Sequence, residues 1–382
     1  MNPSEPASRF RIFAICPPGL EGILFRELAL LGITGKKVAG GVEFQGDLLS
    51  LYSVNLWSRV ASRILLRLGN FRLTSLRDAT DRVARYPWEL YLADHKKIRI
   101  RASAHKSKIY HSGALGQRVL KGISKRLGRP IHLVPEKAGK KSPLVFVRMF
   151  KDRCQLSIDS SGEHLHKRGF KKFTVRAPIR ENLAAAMLLA SGWDRRAMLL
   201  DPFCGSGTII MEAILMASVI PPGRRRSFAF MQWKNYDQGL WSQLLRRSDR
   251  LAIEPRAKIV GLDKDVSAVE ASVMNLENAG LFAFSQVMHG DISALEQLKG
   301  EDKGFIVTNP PYGRRLKENY SLTGLYARFG QILRNRFPNW KVTIVCPQDA
   351  SSLRRALGLP LKPISRFPNG GIQVDLLSSL TE

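Results

Sequence analysis

The residues best suited to chemistry form one short stretch, residues 199–212, with the sequence LLDPFCGSGTIIME. Its apolar start predicts a buried strand, and Asp201 lies at the carboxyl end of that strand. Gly205 and Gly207 can take backbone angles that other residues avoid, and Thr208 begins a helix. Helix N-termini attract ligands through their free backbone N–H groups. The stretch therefore predicts a site where a nucleotide-like ligand lies against the main chain.

A second polar stretch, Asn309-Pro310-Pro311-Tyr312, follows an apolar run that predicts a parallel strand. It is therefore expected at the carboxyl edge of a sheet, where such folds bind ligands. We predict that Asn309 and the Pro310 carbonyl accept the two N–H bonds of an exocyclic amine, and that Tyr312 stacks on the base that carries it. These four residues form the predicted catalytic group, and the amine nitrogen is the reacting atom.

Two more predicted strands end in acidic residues that could hold the same ligand. The strand over residues 259–262 leads into Asp263, a carboxylate suited to the two hydroxyls of a ribose. The strand over residues 285–289 is followed by Asp291 and Ile292. We expect Asp291 to accept an adenine amino group and Ile292 to cover the ring.

The flanking sequence resembles a known family. DPFCGSGT and the later NPPY resemble the S-adenosylmethionine-dependent amino-methyltransferases. KRGFKKFTVRAPIRENLAAAMLLASGW, GLEGILFRELALLG and GGVEFQGDLLSLYSVNLWSRVASRILL resemble the THUMP-containing bacterial 23S rRNA guanine-N2 methyltransferases, in particular the first methyltransferase half of the long two-domain members. The resemblance covers nearly the whole chain. It implies S-adenosylmethionine as cofactor, Pro202 and Phe203 in its site, and direct methyl transfer to a guanosine amine without a metal.

An NAD site is the competing interpretation of the glycine stretch. NAD enzymes normally carry a third glycine at the first turn, and it is absent here. Four ligand-type residues at strand ends, Asp201, Asp263, Asp291 and Asn309, favour S-adenosylmethionine.

The order of the elements predicts an α/β chain with a mostly parallel sheet in its second half. By resemblance, residues 1–60 are a ferredoxin-like N-terminal part, residues 61–165 a THUMP RNA-binding domain, and residues 166–382 a Rossmann-like methyltransferase domain. The resemblance also implies that a helix over residues 178–189 backs the methionine end of the cofactor. An aromatic and basic insertion over residues 221–255 has no predicted role.

The charge of the chain points to a polyanionic partner. There are 60 Lys and Arg against 32 Asp and Glu, a formal net charge of +28. Such an excess is typical of proteins that bind RNA or DNA. Alternation along residues 98–104 predicts an exposed row of cations, and the segment before the glycine stretch is rich in Lys and Arg. The predicted RNA-binding residues are Arg99, Arg101, Lys167, Arg168, Lys171 and Lys172.

Cysteine usage and hydropathy bear on the compartment. The four cysteines have neither disulfide nor zinc spacing, which favours a reducing cytoplasm. No apolar run reaches the length of a membrane span, and the first residues lack the charged segment and apolar run that are typical of a signal sequence. We expect a cytoplasmic protein that binds no membrane and is a monomer.

Four alternatives stay open from the sequence. The substrate could be transfer RNA, as in related THUMP enzymes. Cys346 follows a strand and could attack a pyrimidine ring, as in RNA uridine-C5 methyltransferases. DNA adenine methylation and a non-catalytic ribosome assembly factor are the others.

Overall fold

The chain folds around two β-sheets. The structure, a computed structural model, describes residues 9–135, 142–173, 178–297, 302–312 and 321–379. Within these residues one sheet has eight strands and the other seven. No helix in these ranges is long and apolar enough to cross a bilayer.

The first sheet belongs to the N-terminal half. Its strands in chain order are β1 (Phe10–Ile15), β2 (Gly35–Val38), β3 (Gly41–Gly46), β4 (Arg63–Arg72), β5 (Lys97–His105), β6 (His132–Leu133), β7 (Leu144–Phe150) and β8 (Arg153–Asp159). The helices of this half are α1 (Glu21–Leu30), α2 (Leu48–Trp57), α3 (Leu76–Ala84), α4 (Glu89–Leu92) and α5 (Ser112–Leu127).

Strand β4 joins the two predicted N-terminal segments. The strand order is β2-β3-β1-β4-β8-β7-β5-β6, so β4 lies between β1 and β8. It pairs antiparallel with both of them. Residues on either side of the predicted boundary at 60/61 therefore share one sheet, and the division into domains stays a prediction.

Local sequence signals set the helix ends in this half. Asp47 accepts a hydrogen bond from the backbone N–H of Ser50 at 2.8 Å and so caps α2. Ser75 caps α3 in the same way, and Gly128 ends α5 in the left-handed conformation. These are the residue types that favour helix ends.

The second sheet belongs to the C-terminal half. Its strands are β9 (Met198–Asp201), β10 (Ile259–Asp263), β11 (Gln286–His289), β12 (Gly304–Thr308), β13 (Lys341–Pro347), β14 (Lys362–Asn369) and β15 (Ile372–Ser378). The helices are α6 (Glu181–Ala190), α7 (Thr208–Ala217), α8 (Gln238–Leu251), α9 (Val266–Ala279), α10 (Leu322–Arg336) and α11 (Ser351–Leu357).

Strand order places a ligand crevice at the centre of this sheet. The order is β11-β10-β9-β12-β13-β15-β14, with the first five strands parallel and a closing antiparallel hairpin. The chain runs outward from β9 to β11 and then restarts on the other side at β12. Ligands of open α/β sheets bind outside the carboxyl ends of strands at such a reversal. The expected Rossmann-like fold is confirmed.

The two halves share a continuous apolar core and several hydrogen bonds. The side chain of Arg59 donates to the carbonyls of Leu215 and Ile220, at 3.0 and 2.7 Å. Asn182 on α6 donates to the Val60 carbonyl at 3.3 Å. Because these contacts are buried, they hold the N-terminal half against the helices beside the crevice.

The insertion over residues 221–255 packs on the N-terminal half. Phe230 stacks on Tyr52 of α2, with ring centroids 4.3 Å apart, and Trp241 meets the same tyrosine edge-on. The Tyr52 hydroxyl accepts a hydrogen bond from the Asp237 backbone at 3.0 Å. The insertion therefore attaches the two halves to each other.

Candidate active site

A cavity of about 260 Å³ opens where β9 and β12 end. It brings together most of the residues predicted for ligand binding and chemistry. Those that line it are Asp201, Pro202, Phe203, Gly205, Thr208, Asp263, Asp291, Ile292, Asn309, Pro310 and Pro311.

Asp201 is buried at the floor of this cavity and ties the two central strands together. Its Oδ1 accepts hydrogen bonds from the Thr308 hydroxyl on β12 at 2.6 Å and from the Phe203 backbone at 3.2 Å. Burial is the main cause that raises the pKa of Asp201 to about 7. Thr308, which the sequence did not single out, is therefore part of the site.

The glycine stretch is held in place by the neighbouring strand end. Gly205 has a φ of +54° and its backbone N–H donates to Asp263 Oδ2 at 2.8 Å. Gly207 has a φ of +77°, and a Cβ there would lie 2.3 Å from the Ser272 hydroxyl. Gly207 does not line the cavity. Its backbone angle and its packing against α9 account for a glycine at this position, and its contact with the ligand stays a prediction.

The two other strand-end carboxylates keep oxygen atoms available in the cavity. Asp263 Oδ1 accepts a 3.0 Å hydrogen bond from the backbone of Asp265, which caps α9. Asp291 accepts from the Ser293 backbone at 3.1 Å, and Arg328 lies 3.6 Å from it. A carboxylate can accept about four hydrogen bonds, so Asp263 and Asp291 can each accept more from a ligand.

Asn309 presents an unused acceptor to the cavity. Its side-chain Oδ1 is buried and, among the residues that the structure describes, has no hydrogen-bond partner. Leaving a buried acceptor unpaired costs about 1–3 kcal/mol, so such an atom suits a ligand donor. Pro310 follows directly and is buried in the same wall.

Tyr312 lies outside the wall of the cavity. Its side chain is 1% exposed, and its hydroxyl accepts a hydrogen bond from Asn369 on β14 at 2.6 Å. It does not line the cavity, so the predicted stacking on a base is wrong for this arrangement. Pro311, which does line the cavity, offers the nearest apolar surface of the motif.

Two predicted RNA-binding arginines are buried. Arg99 is 4% exposed and its guanidinium donates twice to the Ser142 carbonyl, at 2.9 and 2.7 Å. Arg168 is 2% exposed and forms an ion pair with Glu212 on α7 at 3.0 Å. Since neither can reach a phosphate, both predictions are wrong. The alternation along residues 98–104 did not predict this burial, because the partner of the Arg99 guanidinium is the carbonyl of Ser142, 43 residues away in the chain.

The other predicted cations differ in exposure. Arg101 is exposed and lies over the Phe146 ring at 5.3 Å. Lys167 and Lys172 are also exposed, and Lys167 pairs with Glu163. Lys171 is half-buried, and its ammonium donates to the Thr208 hydroxyl at 2.7 Å. This contact places Lys171 beside the cavity residue Thr208, and its role in RNA binding stays a prediction.

Cysteine chemistry is disfavoured at this site. Cys346 is 1% exposed and does not line the cavity. Cys204 does line it, but burial raises the pKa of its thiol well above the usual range. Because the thiolate is the reactive form, neither cysteine is prepared to attack a pyrimidine ring.

Family models match both halves of the chain. One described as RMKL-like, methyltransferase domain, matches residues 168–360. One described as RlmL ferredoxin-like domain matches residues 11–65. The chain is 38% identical to a ribosomal RNA large subunit methyltransferase K/L of Cellvibrio japonicus and 34% identical to that of Allochromatium vinosum, over 96% of its own length in each case. It covers 50% and 51% of those relatives, so it spans about half their length.

Solved structures resemble the chain over its full length. A putative methyltransferase crystallised with SAH aligns with a TM-score of 0.85 and 27% identity, covering 99% of both chains. A predicted N6-adenine-specific DNA methylase from Listeria monocytogenes aligns with a TM-score of 0.83 and 30% identity, covering 98% of this chain and 97% of that one. With the fold and the cavity described above, these matches show that the chain belongs to the RMKL-like methyltransferase domain family.

Proposed function

We propose that this protein transfers a methyl group from S-adenosylmethionine to the exocyclic N2 amine of a guanosine in large-subunit ribosomal RNA. The observation that carries the proposal is the unpaired acceptor of Asn309, buried in a cavity that also holds three strand-end carboxylates. It is the complement of an amine donor.

The cavity residues fit the proposed cofactor. When bound, S-adenosylmethionine supplies an electrophilic methyl group. Asp263 would accept the ribose hydroxyls, Asp291 the adenine amino group, and Ile292 would cover the ring. Both carboxylates line the cavity with lone pairs to spare, and Ile292 is 3% exposed beside Asp291.

The target amine is weakly basic because its lone pair is delocalised into the ring. Asn309 and the Pro310 carbonyl would each accept one of its N–H bonds and so favour a more pyramidal nitrogen with its lone pair aimed at the methyl group. Holding the reacting atoms in this geometry lowers the barrier by pre-organisation. Pro311 would cover part of the base face, and the proton of the product amine would leave to water.

An exposed surface on the N-terminal half supports an RNA substrate. Tyr110 is 72% exposed and Phe150 42% exposed, and the Lys151 ammonium lies 5.7 Å from the Phe150 ring. The segment that carries Tyr110 is held beside the segment that carries Phe150, because the Lys108 backbone N–H donates a hydrogen bond to the Asp152 side chain at 2.7 Å. Aromatic faces beside cations bind unpaired bases and phosphates together. We infer that residues 61–165 act as a THUMP-like RNA-binding domain of a cytoplasmic enzyme.

DNA adenine methylation is a second candidate because one structural relative is described as a predicted N6-adenine-specific DNA methylase. The Asn309 acceptor would also suit the N6 amine of adenine. The exposed aromatic and cationic surface favours RNA, whose unpaired segments expose base faces. A non-catalytic assembly factor would have no use for an unpaired acceptor in a cofactor-sized cavity.

The test is a transfer assay with labelled S-adenosylmethionine and two substrates, a large-subunit rRNA transcript and duplex DNA. We expect label in the RNA only, recovered as N2-methylguanosine after digestion to nucleosides. Label in DNA as N6-methyladenine would replace this function with the second candidate. No transfer to either substrate, by protein shown to be folded, would count against an enzyme of this class.

A further inference from the structure

Two histidines form an aromatic pair in the segment between the two halves of the chain. The ring centroids of His164 and His166 lie 5.4 Å apart, and the angle between the ring planes is 25°. Both side chains are half-buried, so part of the pair is accessible to solvent. The pair is therefore a small aromatic surface outside the cavity described above.

Hydrogen bonds hold the backbone that carries this pair. The Arg226 guanidinium donates to the His164 carbonyl at 2.7 Å, and the Arg168 guanidinium donates to the Leu165 carbonyl at 2.8 Å. The backbone N–H of Leu165 donates to the Ser62 carbonyl at 2.9 Å. Because these contacts fix the segment before any ligand arrives, binding to the rings would lose little free energy to ordering.

The start of α6 is attached at the same point, which places the pair beside the cavity. The Asn182 side chain donates to the Val60 carbonyl at 3.3 Å and to the Ser62 hydroxyl at 3.5 Å. Arg180 lies two residues earlier and is exposed, and the residue before it, Ile179, lines the cavity. The histidine pair and Arg180 therefore lie between the N-terminal half and the cavity wall.

Positive charge accompanies the two rings. Burial is the largest cause that lowers the pKa of His164 to about 4 and the pKa of His166 to about 3. Neighbouring cations, Arg180 and Lys167 among them, lower both pKa values further. Lys167 pairs with Glu163, which partly offsets its charge. Near pH 7 the pair thus offers neutral aromatic rings close to an exposed arginine.

This combination fits an unpaired nucleotide. Histidine is one of the side chains on which proteins stack the splayed bases of single-stranded RNA. A guanidinium such as that of Arg180 matches the geometry of a phosphate. A base-paired nucleotide fits less well, because its faces are already covered by its neighbours in the helix.

We propose that His164, His166 and Arg180 bind an unpaired nucleotide next to the target nucleotide, with its base on the imidazole pair and its phosphate on the guanidinium. The inference rests on the proposed function, since it needs an RNA strand that enters the cavity. It deepens that function by naming where the strand runs between the N-terminal half and the reacting base.

The test measures RNA binding by fluorescence anisotropy on the full chain. The probes are a single-stranded fragment of the large-subunit rRNA transcript that carries the methylated guanosine, and the same fragment annealed to its complement. Loss of one stacking partner should weaken binding of the single strand by His164→Ala about five- to a hundredfold. The affinities for the duplex and for S-adenosylhomocysteine should stay unchanged, because neither ligand offers an unpaired base to this pair.

Three further variants make the comparison specific. His164→Phe keeps an aromatic face and should retain most of the affinity for the single strand. Arg180→Met should reduce the slope of log affinity against log salt by about 0.7, the value for one phosphate contact on a single strand. His132→Ala removes an exposed histidine on β6 and should change nothing.

The outcomes separate this surface from the function on which it rests. An unchanged affinity for the single strand in His164→Ala, the same loss in His164→Phe, or an equal loss for the duplex or for S-adenosylhomocysteine would overturn the nucleotide site. The proposed function would stand in each case if the unmodified protein methylates the transcript. If the unmodified protein methylates DNA alone, the function and the nucleotide site are rejected together.

Discussion

Asn309→Ala is expected to lower the rate of methyl transfer by about two to three orders of magnitude, the usual cost of removing one pre-organised hydrogen-bond partner from a reacting group. The reason is that Oδ1 of Asn309, which has no partner within the described parts of the chain, would hold the amine while it reacts. Cofactor affinity should change little, because the substitution leaves intact Asp263 and Asp291, the carboxylates that we propose bind the adenosine. Single-turnover kinetics with saturating cofactor would measure the rate of methyl transfer, and calorimetry would measure the cofactor affinity.

The matched control is Asn70→Ala, which removes an exposed asparagine on β4 in the first sheet and should leave the rate unchanged. Asn309→Asp keeps an acceptor and should retain more activity than Asn309→Ala. Full activity in Asn309→Ala would show that another group holds the amine.

Arg168→Ala is expected to reduce the free energy of unfolding by about 3 kcal/mol, because it removes the nearer of the two cations that pair with the buried Glu212 carboxylate and leaves only Arg59 at 3.8 Å. The Arg168 and Glu212 side chains are 2% and 1% exposed. Arg168 also donates a hydrogen bond to the Arg59 carbonyl at 2.5 Å. It therefore connects the segment between the two halves both to the N-terminal half and to α7. Urea unfolding followed by circular dichroism would measure the loss.

Lys167→Ala is the control for this variant. Lys167 is adjacent in sequence but its ion pair with Glu163 is exposed, and such pairs contribute about 0–1 kcal/mol. A similar loss for both variants would contradict the interpretation of Arg168 as an interface residue. A clear difference would show that two neighbouring cations of one basic run have unrelated roles.

The ligand cavity could be predicted from sequence because its determinants are local. Asp201 and Asn309 each follow a strand, and parallel strands bring their carboxyl ends to one edge. No tertiary information was needed to place them together.

The role of the basic residues could not be predicted because it depends on contacts between distant segments. Arg168 forms a buried ion pair with Glu212, and the Lys171 ammonium donates a hydrogen bond to the Thr208 hydroxyl. A run of cations in sequence does not reveal which members fold inward. The predicted stacking of Tyr312 on a base was wrong for the same reason, because its hydrogen-bond partner Asn369 lies in the closing hairpin, far away in the sequence.

Helix α8 carries a local sequence signal of its own. Asp237 caps it, and Trp241, Leu244 and Ser248 recur on one buried face. That spacing predicts a helix packed on another element. What it could not reveal is the partner surface on α2.

The central claim, that an exocyclic guanine amine is the reacting group, is tested most directly by substrate RNA transcribed with inosine in place of guanosine. Inosine keeps the ring, sugar and phosphates but lacks the N2 amine. We predict that the protein binds this RNA and transfers no methyl group to it in a single-turnover assay in which the guanosine RNA is methylated. Methyl transfer to the inosine RNA at a comparable rate would contradict the account.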